Sequence, residues 1–352
     1  KLYDMATFET SLKSRLIYVF AIPDEWHKDC LKVGETTLEE DDGNFPLPNS
    51  EVLNKAACDR IDQYTKTAGI AYNLLHTEMT VFFKGGTISS FNDKQVHSVL
   101  ERSGVKKKTF DTVKGANEWF CCDLETVKKA IHAVKNGRNS LNASDISYTQ
   151  TPIIFRPEQQ AAIDKTKKQF KKGADVLWNA KMRFGKALCA LRVARDLEMR
   201  RTIILTHRPV VDESWFEDFG KIFYDRTDYH YGSRTKGEDF TSLERLAKKG
   251  DRYVYFASMQ DMRGAQLVGG KFDKNNEVFS TDWDFLIVDE AHEGTRTELG
   301  ESVIKELTKA NTKVLKLSGT PFNLLDDYTE EETYTWDYTM EQRAKTEWDL
   351  LH

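Results

Sequence analysis

The chain has 352 residues with a formal net charge of -5, 39% hydrophobic and 11% aromatic residues, an ordinary globular composition long enough for two domains with separate cores. That charge excludes a uniformly basic polyanion binder while leaving local basic faces open. No apolar run approaches the roughly 20 residues that a membrane-spanning helix needs. The five cysteines include no C-x-x-C pair, Cys121 and Cys122 being adjacent, and the chain starts at Lys1 without a signal-peptide pattern. A reducing cytoplasm and a trimmed N-terminus are the simplest expectations.

In chain order, the first half alternates short apolar runs with helical patterns. RLIYVFAI (Arg15–Ile22) and EMTVFF (Glu78–Phe83) read as strands. NKAACDRIDQYTKT, NDKQVHSVLERSG and LETVKKAIHAVKNG read as helices, the last two stopped by Gly104 and Gly137, because glycine takes the left-handed backbone that closes a helix. A small α/β domain is expected there. Asn136–Pro152, NGRNSLNASDISYTQTP, has no helical or alternating periodicity and marks the junction. Beyond it, helical stretches alternate with ADVLW, RTIILT, RYVYFA, WDFLIV and KVLKLS. Runs apolar on both faces and separated by helices imply a parallel sheet covered on both sides. The last stretch, Asp326–His352, is acidic and contains Trp and Tyr; it is assigned no place in that sheet.

The chemistry-bearing residues fall at the ends of these strands. ADVLWNAKMRFGKALCALRVA leads from a strand into a helix with Gly185 and Lys186 at the junction, where helix-start N–H groups and a lysine together neutralise a polyphosphate. Against the pattern G-x-x-x-x-G-K-[ST], Ala180 replaces the first glycine and Ala187 the hydroxyl residue. LIVDEAHEG ends another strand with Asp289 and Glu290 side by side, and neighbouring acids resist desolvation unless a cation or a proton-transfer task justifies them. LSGTPFN ends a third. A capping Asp with a surface Glu would explain the acid pair alone, but neither neighbouring motif. Asp289 is expected to hold magnesium directly or through water and Glu290 to polarise the attacking water, with His292 and Thr320 coupling the site to bound polynucleotide.

With these motifs in view, residues 152–322 resemble the first motor domain of superfamily 2 helicases and translocases of the DEAH-box kind, in particular the motor subunits of restriction enzymes. RPEQQAAI, KMRFGKA, THRP, FASMQD, VDEAH and SGTP carry the resemblance. It implies ATP and Mg2+, with Mn2+ as a substitute. Arg156 and Gln159 would read the adenine, Lys186 would hold the β- and γ-phosphates with Arg183 and Gly185 in the same loop, and Asp289 and Glu290 would serve metal and water. Thr206 and Arg208 in THRPVV and Ser258 in FASMQD would line the track of one nucleic-acid strand through its phosphates. Ser318, Thr320 and His292 would couple the two activities. Two departures set expectations for turnover: Ala187 supplies no hydroxyl to the metal, and the chain stops soon after SGTP, so that as given it is expected to hydrolyse ATP poorly by itself.

In the first half, Tyr18 in LIYVFA precedes a KVG strand end at Lys32, Val33 and Gly34, and Arg60 lies on a helix. Asp93, His97 and Glu101, spaced by four, share one face of the next helix and could share a metal or phosphate, or form a solvated face. GANEWF follows at Gly115–Phe120. The pattern over residues 15–122 resembles the GIY-YIG nucleases, in the branch where lysine replaces the second tyrosine and the domain closes on EWF. The resemblance implies that Tyr18 places its hydroxyl near the nucleophilic water, Lys32 takes the second tyrosine's place, Arg60 binds the scissile phosphate, and His97 shuttles a proton or donates to phosphate. Glu118, Glu101 and Asp93 all qualify by type for the single divalent metal, with Glu118 assigned to it. Basic residues at Lys106–Lys108 and in DKTKKQFKK read as solvated faces or backbone-phosphate contacts.

The expected architecture is a small GIY-YIG-like α/β domain at 1–138, a linker at 139–151, a RecA-like parallel sheet with helices on both faces at 152–325, and the start of a following segment at 326–352. The expected function is an ATP-dependent DNA translocase or helicase fused to a metal-dependent endonuclease in restriction or phage defence. Its partners would be duplex or displaced single-stranded DNA and a second motor domain or further restriction subunits, with no membrane. Two other readings stand beside it: a DNA-binding module on a helicase motor without nuclease activity, and an RNA-directed motor.

Overall fold

The computed structural model describes residues 14–38, 45–110, 118–146, 153–207, 209–291, 298–320 and 324–351, and the chain divides into two units, residues 1–141 and 142–352. Arg208, His292 and Gly115–Asn117 of the sequence motifs lie outside the described residues.

The first unit contains β1 (Arg15–Ala21), β2 (Leu31–Thr37), β3 (Asn73–Met79), the pair β4 (Val81–Lys84) and β5 (Thr87–Ser90), and β6 (Trp119–Phe120). β1 lies inside a four-stranded antiparallel sheet of order β3-β1-β2-β6. Side chains alternate across a strand. Leu16, Tyr18, Phe20 and Trp119 therefore share one face, where they pack with Leu53, Ala57 and Ile61 of helix α1 (Glu51–Thr65). Phe120 points the other way and meets His97 of α2 (Asp93–Arg102), their rings 5.1 Å apart. Helix α3 (Leu124–Lys135) packs on α2, started by the Asp123 carboxylate accepting from the Thr126 N–H. Gly104 and Gly137 follow these helices at φ +80° and +68°, the conformation their sequence positions imply. The expected strand at 78–83 is instead two strands meeting at Thr80: β3 begins at Asn73, and Gly85 and Gly86, both at positive φ, turn β4 back onto β5 as a tight hairpin.

In the second unit, α4 (Pro157–Gln169), β7 (Asp175–Ala180), α5 (Lys186–Asp196), β8 (Arg201–Thr206), α6 (Asp212–Phe223), β9 (Tyr229–Gly232), β10 (Arg252–Ser258), β11 (Phe285–Asp289), β12 (Lys313–Ser318) and β13 (Thr333–Trp336) follow in order, with shorter helices between the later strands. All seven strands are parallel, in the order β13-β7-β12-β11-β8-β10-β9. Leu177, Ile203, Leu205, Leu286 and Val288 enter a core on one face, and Trp178, Ile204, Ile287, Leu315 and Leu317 a second core on the other. This is the covered parallel sheet that the doubly apolar runs imply. Inside it, the buried Trp178 indole donates to Thr166 Oγ1 at 2.8 Å, and Thr166 Oγ1 donates to the Ala162 carbonyl at 2.8 Å, so no polar atom of the pair is left unmatched. Two strands were not read from sequence. β9 is four residues long, and β13 lies in the acidic final stretch, where it adds to the sheet edge along β7. No helix among the described residues is long and apolar enough to cross a membrane.

Near the start of β9, Arg226 bonds Asp228 through Nε at 2.8 Å and Glu198 through Nη1 at 2.7 Å, while Arg252 reaches Asp228 at 2.6 Å. The bond from Arg226, foremost, lowers the Asp228 carboxyl from 3.8 to about 2. A depressed carboxyl stabilises the fold above its unfolded value and loses that contribution as pH falls through its folded value. Melting temperature measured between pH 4 and pH 2 should therefore fall further in the wild-type protein than in Asp228→Asn, which starts lower at neutral pH.

Candidate functional site

The carboxyl ends of parallel strands emerge at one edge of the sheet, which is where α/β proteins bind ligands. At that edge β7 ends at Ala180 and the chain turns through Arg183 (φ +64°) and Gly185 (φ +87°) into α5 at Lys186. No side chain caps α5, so its first-turn N–H groups, which have no partner within a helix, face the loop. A Cβ at Gly185 would lie 2.8 Å from Gln159 Nε2, and glycine therefore lets the loop close on α4. There Gln159 Nε2 donates to the Phe184 carbonyl at 2.7 Å and Arg156 Nη2 to the same oxygen at 3.0 Å, while Gln159 Oε1 accepts the Arg156 backbone N–H at 2.9 Å. These two residues brace the loop from behind. Lys186 Nζ donates to the Ala180 carbonyl at 2.9 Å, across the mouth of β7, and a Cβ at Gly319 would lie 3.9 Å from it.

Asp289 ends β11, separated from β7 only by β12. Its Oδ2 accepts from the Trp215 indole N–H at 3.2 Å and its Oδ1 from the Glu290 backbone N–H at 3.0 Å. Burial and the adjacent Glu290 charge push its carboxyl above the usual 3.8, against the opposing pull of the Trp215 bond and the Lys186 charge. Lys186 and Asp289 are thus electrostatic neighbours, although far apart in sequence. Glu290 itself sits at φ +49°, a left-handed conformation that costs a non-glycine residue roughly 1 kcal/mol or more. Strain of this kind persists where the surroundings fix a side chain's direction.

Thr206 at the end of β8 is paired in register with Asp289 on one side and Ser258 on the other. The Ser258 hydroxyl accepts the Asp261 N–H at 3.1 Å and starts the short helix Met259–Arg263; the buried Ser318 hydroxyl accepts the Thr320 N–H at 3.2 Å. The edge therefore gathers Gly185, Lys186, Asp289, Glu290, Thr206, Ser258, Ser318 and Thr320. Uncapped helix amides and an ammonium suit a polyphosphate, and one half-buried carboxylate suits a magnesium ion that keeps most of its oxygen ligands from water and phosphate. Ala187 offers that ion nothing. Among the described residues, no group of three or more His, Cys, Asp or Glu side chains is arranged for a metal. Two lysines of DKTKKQFKK are engaged elsewhere: Lys165 Nζ donates to the Thr333 carbonyl at 2.7 Å and Lys167 pairs with Asp196 at 2.7 Å.

In the first unit, Tyr18 and Gly34 are register partners, and the tyrosine ring lies across the glycine so closely that a Cβ there would be 2.7 Å from Tyr18 Cζ and Oη. Around the Tyr18 hydroxyl gather Tyr64 and Arg60. Burial holds the Tyr18 hydroxyl above its ordinary pKa despite both of these contacts. Lys32 Nζ is 3.4 Å from Glu118 Oε2 and 4.6 Å from the centre of the Tyr64 ring. Tyr18, Lys32, Arg60 and Glu118 thus converge, and Tyr64 joins them unforeseen. Its signal was available, since Tyr64 stands four residues after Arg60 on one face of α1.

Asp93, His97 and Glu101 each have a different hydrogen-bond or ion-pair partner. His97 is buried on the opposite face of the sheet from Tyr18, its Nε2 2.8 Å from the Val33 carbonyl. Asp93 donates its backbone N–H to Glu35 at 3.3 Å, and Glu101 pairs with Lys107 at 2.6 Å. These three separate partners divide the helix face.

Residues 152–323 match the family model described as "Type III restriction enzyme, res subunit". Over 235 residues the chain is 26% identical to a putative type II restriction enzyme and methyltransferase, RM.MpnORF110P C-terminus, of Mycoplasma pneumoniae, covering 54% of this chain and 32% of the relative. The chain spans about a third of that relative's length. Similar solved structures include the Sulfolobus solfataricus SWI2/SNF2 ATPase core in complex with dsDNA (15% identity, TM-score 0.38, 53% of this chain and 37% of that one). Another is the UvsW helicase from bacteriophage T4 (13% identity, TM-score 0.38, 73% of this chain and 99% of that one).

Gly34→Ala drives a methyl group into the Tyr18 ring, and overpacking of this kind costs about 1–3 kcal/mol. Urea unfolding of the variant should show that loss. The family model covers residues 152–323, the part of the chain that contains this strand edge.

Proposed function

We propose that the second unit binds ATP with magnesium and uses its hydrolysis to move along DNA, and that the first unit cuts a phosphodiester bond. The observation that carries the motor reading is the emergence of the Lys186 loop and Asp289 at one sheet edge with a single strand between them, beside an uncapped helix start. In this reading Lys186 leaves the Ala180 carbonyl for the β- and γ-phosphates, the α5 amides hold the phosphate oxygens, and Asp289 holds the metal. Bound magnesium supplies neutralising charge to the phosphates. Glu290, fixed by its strained backbone, orients the attacking water and takes its proton. Arg156 and Gln159 brace the phosphate loop and stand where an adenine would meet α4. The loop from Thr206 and the turn at Ser258 would follow one DNA strand through its phosphates, with Thr320 and the residues outside the description, Arg208 and His292, coupling movement to hydrolysis. The family match and the restriction-enzyme relative support a place in restriction, and phage defence, with a second motor domain or further restriction subunits as partners, belongs to the same proposal.

For the first unit, the convergence of Tyr18, Lys32, Arg60 and Glu118 supports a nuclease of the GIY-YIG kind. Arg60 and Tyr64 would grip the scissile phosphate, Tyr18 and Lys32 would lie near the attacking water, and Glu118 would hold one Mg2+ or Mn2+ ion. A second reading is a DNA-binding module without cutting chemistry. It is favoured by the Lys32–Glu118 pair, which engages the carboxylate, and by the buried Tyr18 hydroxyl, which resists ionisation.

Lys186→Ala should weaken binding of a fluorescent ADP analogue by about tenfold or more, equivalent to about 1.4 kcal/mol per decade. Glu290→Gln should leave that binding intact while slowing turnover by about a hundredfold, the usual worth of a positioned base. Equal affinity of Lys186→Ala and wild type would refute the motor site. Supercoiled plasmid incubated with the protein and Mn2+ should be nicked by the wild type but survive with Tyr18→Phe or Arg60→Ala. Plasmid bound yet uncut by the wild type would favour the second reading.

A further inference from the structure

Asp289 receives one donor at each carboxylate oxygen, and only one of them comes from its own strand end. The other is the Trp215 indole, 2% exposed in the core, donating to Oδ2 at 3.2 Å. A buried indole N–H needs an acceptor, and in a core a backbone carbonyl or hydroxyl serves, as the Val278 carbonyl does for Trp283 and Thr166 for Trp178. Trp215 alone of these three bonds a carboxylate at the mouth of the sheet. Its own position is set by a short path: β8 ends at Thr206, the register partner of Asp289, and the chain returns through Pro209–Val211 into the first turn of α6, where Trp215 lies. One segment therefore grips Asp289 twice, through strand pairing and through the indole. With the Glu290 N–H on Oδ1, the two donors fix the rotation of the carboxylate and so the direction of its remaining lone pairs.

We propose that Trp215 is a positioning residue for the metal carried by the nucleotide: its N–H sets the orientation of the Asp289 carboxylate, while capture of the phosphates is left to Lys186 and its loop. The proposal rests on the nucleotide reading above. It assigns Trp215 a contribution to metal affinity that its packing does not require. Partners that orient a ligating side chain are typically worth tenfold or more in metal affinity.

The test is a magnesium titration of fluorescent ADP-analogue binding by the whole chain, comparing wild type, Trp215→Phe and Lys186→Ala. Trp215→Phe keeps an aromatic ring in the core and loses the donor. It should leave metal-free nucleotide affinity unchanged and raise the half-saturating Mg2+ concentration about tenfold. An unchanged magnesium midpoint, or a parallel loss of metal-free affinity, overturns the proposal while leaving the nucleotide site standing if Lys186→Ala still weakens nucleotide binding about tenfold or more. Loss of neither response in Lys186→Ala overturns the nucleotide reading itself. Where Trp215→Phe fails to fold, wild-type protein labelled with 15N-indole tryptophan decides: the indole resonance displaced by Asp289→Asn should move when Mg2+ is added to the nucleotide-bound protein and not with nucleotide alone. An indole resonance indifferent to Mg2+ contradicts the proposal.

Discussion

Because β7, β12 and β11 run parallel and side by side, the loop that begins after Ala180 and the carboxylate of Asp289 emerge on one edge with a single strand between them. Two strand spacings of about 4.8 Å place them about 10 Å apart, a gap that a lysine side chain from one side and a metal-bound phosphate from the other can close. The rest of the second unit's chemistry depends on that register. An antiparallel neighbour would send one of the two motifs to the opposite edge. The register is strongly specified, because each strand alternates apolar residues between two separate cores and a slip of one residue would exchange them.

The same edge concentrates features that are unfavourable by themselves. Asp289 is half-buried beside another acid, Glu290 and Arg183 are held at positive φ, and the α5 amides begin without a cap. Each departs from local rules satisfied elsewhere in the chain, where Asp123 and Asp239 cap their helices and the Trp178 indole has its hydroxyl partner. Such departures gather at functional sites because surrounding packing can enforce them and a ligand can relieve them. In the first unit, Gly34 has a comparable role. It gives up a side chain so that the Tyr18 ring can cross β2 and bring its hydroxyl to Tyr64 and Arg60.

What the sequence made legible follows the strength of the local signals. The five apolar runs of the second half are strands because their residues are apolar on both faces, a pattern with few alternatives when helices intervene. β9 and β13 escaped because four residues are too few to establish a period, and Thr333–Trp336 is embedded among acids that read as surface. The hairpin β4–β5 was merged with β3 because EMTVFF is continuously apolar enough to conceal the break at Thr80; the two following glycines were the missed cue. Helical spacing put Asp93, His97 and Glu101 on one face, yet spacing says nothing about what that face meets. His97 meets the underside of the sheet, and the acids find other partners. Trp215 was invisible for a related reason: an apolar helix position predicts burial and leaves open the acceptor its N–H will find.

The most direct test of the central claim is a crystal structure of the chain with a non-hydrolysable ATP analogue and Mn2+. The account predicts anomalous density for manganese beside the Asp289 carboxylate, and Lys186 Nζ withdrawn from the Ala180 carbonyl onto the β- and γ-phosphates. A nucleotide bound elsewhere, or one bound at this edge with Lys186 still on Ala180 and no metal at Asp289, would contradict it.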